Sequence, residues 1–111
     1  MKRILIIDDE EDLCVLMRAY LQPLQFDVHL AFTLRDGLQK ARDLSPDILF
    51  LDNNLPDGLG WDTVGQLLTL LPHSKINLMS AFTHLPLELE NIPSVKFLEK
   101  PISLSTLKSF L

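Results

Sequence analysis

The chain has 111 residues, 47% of them apolar and 23% charged, enough for one well-filled core and ordinary enough to exclude a disordered segment. Its net charge of −5, with basic residues scattered and acids gathered in Asp8-Asp9-Glu10-Glu11-Asp12, excludes a nucleic-acid-binding surface, which needs clustered Lys and Arg. The lone cysteine, Cys14, cannot form an internal disulfide and lies in an apolar periodic stretch, so a core position in a reducing, cytoplasmic compartment is expected.

Ile4-Leu5-Ile6-Ile7 is a short β-branched run of the kind a strand buried on both faces requires. Followed at once by five acids, it is too short for a signal peptide or a membrane span. Leu13, Leu16, Met17, Tyr20 and Leu21 follow helical spacing, with acids in the first turn where the helix dipole favours them, and Pro23 ends the pattern. Phe26 to Ala31 reads as a second strand. Thr33 with Asp36 makes a capping start to a helix carrying Leu34, Leu38, Ala41 and Leu44, which Ser45-Pro46 breaks. Residues 47–51 form a third, nearly all-apolar strand, and a loop rich in Asn, Pro and Gly runs over 53–60. Val64, Leu67, Leu68 and Leu71 mark a third helix stopped by Pro72. Strands follow at Lys75 to Ser80 and Val95 to Glu99, and a last helix carrying Leu104, Leu107 and Leu111 is entered through Ser103. Between the last two strands, Leu85, Leu87 and Leu89 fit a strand and Leu85, Leu89 and Ile92 fit a helix. With Pro86 in the segment, a short, poorly regular helix is expected there.

Strands alternating with helices imply right-handed crossovers and a parallel sheet covered on both faces. Five such units predict a single α/β domain over residues 1–111: a flavodoxin-like doubly wound (βα)5 fold with strand order 2-1-3-4-5. In that order Asp8 and Asp9, Asp52, Ser80 and Lys100 all fall at the carboxyl edge of the sheet, where open α/β sheets bind ligands. Three carboxylates gathered there repel one another and call for a hard cation such as Mg²⁺, with the lysine offsetting the remaining charge. Between two cationic centres a carboxylate can take up a phosphoryl group, and a hydroxyl such as that of Ser80 can hydrogen-bond its oxygens. Each of these residues also has a plainer use: Asp8 and Asp9 as caps of the first helix, Asp52 as a turn former, Lys100 as a solvated surface lysine, Ser80 as a cap. Their shared placement favours the site.

Asp8-Asp9-Glu10, the run Asp52-Asn53-Asn54-Leu55-Pro56-Asp57-Gly58, Met79-Ser80-Ala81 and Phe97-Leu98-Glu99-Lys100-Pro101 together resemble the motifs of response-regulator receiver domains, in order and with near-family spacing over essentially the whole chain. The resemblance implies a switch in a two-component system. A sensor histidine kinase or phosphotransfer protein would donate a phosphoryl group to Asp52, the domain would assist its own phosphorylation and hydrolysis without being a turnover enzyme, and the change would reach the face built by helix four, strand five and helix five. It implies Asp9 and Asp52 as direct Mg²⁺ ligands, Asn54 as donor of a carbonyl ligand, Asp8 as a ligand through water, Lys100 as the phosphoryl contact and Ser80 as the switch hydroxyl. Phe97 takes the aromatic switch position and Lys100–Pro101 is a candidate cis bond. The pattern departs from the family in a shortened interval between Ser80 and Lys100, in Pro86, and in a last helix clipped at Leu111. An effector domain following Leu111 and a phosphorylation-dependent homodimer are further expectations.

Other classes fit less well. A flavodoxin-type cofactor binder needs a Ser/Thr/Gly-rich cradle where Asp8-Asp9-Glu10 stands. A phosphohydrolase of the haloacid dehalogenase type needs a second Asp where Asn54 stands. A degenerate receiver serving only as a docking module would not keep every chemical position. His29, His73 and His84 have no ligand-like spacing for zinc. Trp61, after the acidic loop, is expected to pack and to serve as a fluorescent reporter.

Overall fold

In the computed structural model, which describes residues 1–81 and 85–111, β1 (Lys2–Ile7) is an interior strand of the chain's main sheet. It is followed by α1 (Glu11–Leu21), β2 (Phe26–Ala31), α2 (Leu34–Leu44) and β3 (Ile48–Asp52). A 3-10 turn (Gly60–Thr63) leads into α3 (Val64–Leu70), then come β4 (Lys75–Ser80), α4 (Leu87–Glu90), β5 (Val95–Glu99) and a terminal 3-10 helix (Leu104–Phe110). All pairings in the main sheet are parallel, in the order β2-β1-β3-β4-β5. This is the doubly wound order expected from the alternating pattern.

The continuous apolar runs explain the layering. Side chains alternate across a strand, so Leu5, Ile7, Leu49 and Leu51 face one layer, closed by Ala41 of α2 and Val64 and Leu67 of α3. Ile4, Ile6, Ile48 and Phe50 face the other, closed by Cys14, Met17 and Leu21 of α1 and by Leu107. Cys14 is therefore a core residue. Leu16, counted in the apolar stripe, is half exposed, because residues 14, 17 and 21 take the inward line of α1.

Several boundaries carry recognisable chemistry. The Thr33 side chain accepts a hydrogen bond from the Asp36 amide and caps α2. At the other end of α2, Ser45 takes a left-handed conformation before Pro46. Pro23, expected to stop α1, sits inside a 3-10 turn (Gln22–Leu24) that continues from it. The segment before β5 is indeed short: α4 has four residues, with Pro86 as its N-cap. The last helix is 3-10 rather than α, held by Asn77 Nδ2 donating to the Phe110 carbonyl and by Lys75 and Lys96 reaching Leu111 and Ser109. His84 lies outside the described residues.

Candidate functional site

Asp8 and Asp9 directly follow β1, Asp52 ends β3, Ser80 ends β4 and Lys100 follows β5. Because β1, β3, β4 and β5 are consecutive neighbours, these residues meet at one edge. Oxygens of Asp8, Asp9 and Asp52 lie within 4.8 Å of one another. Asp8 and Asp52 are almost fully buried while Asp9 is exposed. Lys100 Nζ sits 2.8 Å from Asp8 Oδ2, 3.2 Å from Asp52 Oδ1 and 2.6 Å from Glu10 Oε1. Ser80 is buried, and its carbonyl accepts the Lys100 amide at 2.8 Å, tying the ends of β4 and β5 together. The Lys100–Pro101 bond is cis.

The electrostatics are those of too many carboxylates in too little water. Burial, reinforced by the Asp8 charge and opposed by Lys100, pushes the Asp52 carboxyl up to about 6. Burial also raises Asp8, although Lys100 and the Glu10 amide pull against it. For Lys100 burial disfavours the charge, but Asp8, Glu10 and Asp52 outweigh it and hold the ammonium above the ordinary lysine range. Asp8 Oδ1 accepts the Glu10 amide at 2.9 Å, so Asp8 both shapes the entry to α1 and faces the site. Its other oxygen is buried, and Lys100 Nζ lies at ion-pair distance without hydrogen-bond geometry. Burial, then the Asp8 charge, pushes the Cys14 thiol up to about 12, which keeps it unreactive.

The loop after Asp52 is held more tightly than its composition suggests. Asn54–Leu55 and Gly58–Leu59 pair as a small antiparallel ladder, two residues a side and too short for any periodic signal. Gly60 closes it: its amide donates to the Asn53 carbonyl, and a Cβ there would overlap the Asp52 carbonyl oxygen. Both Asp57 oxygens accept amides from the first turn of α2, at 2.7 Å from Leu34 and 2.9 Å from Arg35, and these bonds keep its carboxyl below the ordinary range. Trp61 is buried, with its indole N–H donating to the Leu51 carbonyl and its amide to Asn53 Oδ1. Its ring meets that of Phe97 edge-on, with centroids 5.9 Å apart. Phe97 is half-buried against the α2–α3 layer. The sequence pattern pointed to neither the Trp61–Phe97 contact, the Asp57 clamp nor the Glu10–Lys100 pair. Asp before Gly in a loop and an acid opening a helix are the only signals they leave.

A doubly wound α/β sheet with carboxylates and a lysine at its carboxyl edge, in place of a glycine-rich phosphate cradle, defines a class of acidic-pocket α/β domains. A profile of the response regulator receiver domain matches residues 4–111, and the chain belongs to that family. It is similar to Regulatory protein LuxO of Vibrio vulnificus, 30% identical over 105 residues that make up 93% of this chain and 23% of LuxO. Among solved structures, a CheY-like receiver domain from Methylobacillus flagellatus has a TM-score of 0.84 at 29% identity, covering 98% of this chain and 94% of that one. Another from Methanospirillum hungatei JF-1 has a TM-score of 0.87 at 23% identity, covering 98% and 89%, and shows the fold alone. The chain spans about a quarter of the length of the LuxO proteins it matches. Phosphorylation-dependent signalling in general terms follows from membership of the family. Among the described residues, no helix is long and apolar enough to cross a membrane.

Proposed function

We infer that this domain is the switch of a two-component system and that Asp52 accepts a phosphoryl group from the phosphohistidine of a sensor kinase or phosphotransfer protein in the cytoplasm. The observation that carries this reading is the buried Asp52 carboxylate, with the Lys100 ammonium 3.2 Å away and the Asp8 and Asp9 oxygens within 4.8 Å. An Asp52 oxygen would attack phosphorus as the P–N bond of phosphohistidine breaks, and the departing imidazole nitrogen keeps the electron pair. With its carboxyl pushed up to about 6, Asp52 is still mostly ionised at neutral pH and ready to act as nucleophile.

The donor set suits Mg²⁺: every candidate ligand is an oxygen, and among the described residues buried Asp8 Oδ2 receives no hydrogen bond, with only the Lys100 ammonium at ion-pair distance. Asp9, Asp52 and the Asn54 carbonyl would hold the ion directly and Asp8 through water, so that it neutralises charge on the carboxylates and the phosphoryl oxygens. Lys100 offsets the charge of the incoming group from the other side, and the Ser80 hydroxyl donates to a phosphoryl oxygen. Phe97 then turns inward from its edge contact with Trp61, a shift between two packings at β5 that the phosphoryl contacts bias. The domain assists its own phosphorylation and hydrolysis rather than turning over a metabolite. The curated relatives are much longer regulatory proteins, which supports output through an effector domain in the whole protein.

Intact mass after incubation with acetyl phosphate and MgCl₂ tests the reading. A single added phosphoryl group is expected, absent without the cation and absent from Asp52→Asn. An adduct that survives in Asp52→Asn, or none in the unaltered chain, overturns it.

A further inference from the structure

We propose that Glu10 is a positioning residue that competes with the incoming phosphoryl group for Lys100. The inference rests on the reading of Lys100 as the phosphoryl contact. Of the three carboxylates around this ammonium, Asp8 and Asp52 stand at ion-pair distance, 2.8 and 3.2 Å, while Glu10 accepts a hydrogen bond from it at 2.6 Å. An arriving phosphoryl oxygen competes with them for the ammonium, and most directly with the group that holds its hydrogen bond. Asp8 is fully buried and has no route outward, and Asp52 is the group under reaction. Glu10 is the one that can leave, since its side chain is 58% exposed against 14% for Lys100.

The backbone is set for such a release. Asp8 Oδ1 fixes the Glu10 amide, and Glu10, with extended backbone, is the N-cap of α1 but makes no side-chain cap hydrogen bond. Nothing in the helix is therefore lost when its carboxylate swings into water. Glu10 and Lys100 also line, with Leu13, Ala81, Pro101 and Ile102, a cavity of about 420 Å³ beside the acidic cluster. A phosphoryl donor approaching through that cavity meets the Glu10 carboxylate first, and like charge repels it.

The test is the rate of Asp52 labelling by acetyl phosphate, at saturating MgCl₂, in the unaltered chain, Glu10→Gln and Glu10→Ala. Competition predicts a half-saturating donor concentration lower by about two- to fivefold in both variants, the range a solvent-accessible ion pair supplies, with the limiting rate changed less. A general structural disturbance would move the limiting rate instead. Binding of inorganic phosphate, followed by line broadening of its phosphorus resonance, reports on Lys100 without any transfer and should tighten by the same factor. If phosphate binding and half-saturation stay unchanged or weaken in both variants, the competition is absent. If the unaltered chain is not labelled at all, the Asp52 reading fails, and phosphate binding alone decides the role of Glu10.

Discussion

Asp8 and Asp52 leave strands whose side chains are almost wholly shielded from water, Ile4-Leu5-Ile6-Ile7 and Ile48-Leu49-Phe50-Leu51, flanked by α1 and α2 of eleven residues each. Lys100 and Phe97 come from the sheet's last strand and the residue after it, where β5 buries only Val95 and Leu98, α4 has four residues and the last helix is 3-10. One region is buried along its whole length on both faces, the other by a single buried side chain on each, Val95 on one and Leu98 on the other. The division suits the proposed chemistry. Carboxylates that repel one another stay together only on a frame that cannot relax, whereas the groups expected to follow the phosphoryl group sit where packing is lightest.

The contrast can be broken at the anchored side. Phe50→Ala, in the middle of the central layer, should lower unfolding free energy by about 3–5 kcal/mol in urea denaturation. A cost below about 1 kcal/mol would mean that the β1–β3 frame is far more plastic than its burial implies.

Asp52 sharpens the comparison, because the same frame holds a charge it disfavours. Its carboxyl is raised from 3.8 to about 6, so the folded chain binds this proton more tightly than the unfolded chain. The stabilising contribution is complete below 3.8 and is lost as pH rises through about 6. By neutral pH the loss is about 3 kcal/mol, with the Asp8 shift acting in the same direction. Asp52→Asn should therefore match the unaltered chain at pH ~4 and exceed it by about that amount at pH ~7, measured by denaturant midpoints without divalent cations. Adding MgCl₂ should narrow the gap by stabilising only the unaltered chain.

Smaller effects are expected further out. Thr33→Ala removes the cap of α2 and should cost about 1 kcal/mol, seen as a lower Tm. Leu87→Ala, at a side chain 79% exposed on α4, should change stability by less than about 0.5 kcal/mol. A larger loss there would make the light edge a hidden part of the core.

The same contrast separates what could be read in the sequence from what could not. Short stretches of strand-forming residues bounded by turn formers mark their own limits, so Phe26–Ala31, Lys75–Ser80 and Val95–Glu99 coincide with the expected strands, and β3 is displaced by one residue. Strand ends then carry the chemical positions to one edge through topology alone. The Asn54–Leu55 ladder and the 3-10 geometry of the last helix follow from contacts too short or too distant to leave a period. The Glu10–Lys100 pair spans 90 residues, and nothing in the local spacing of either residue announces it. Leu16 shows the converse limit: a residue can fit the helical period and still fall just outside the buried arc.

The most direct measurement is the position of the label. After incubation with acetyl phosphate and MgCl₂, borohydride reduction converts an acyl phosphate to the corresponding alcohol, and peptide mass spectrometry then reads which carboxylate carried it. Reduction at Asp52 alone is the predicted result. Reduction at Asp8 or Asp9, or an unmodified Asp52 in a chain that carries the added mass, would contradict the assignment of Asp52 as phosphoacceptor.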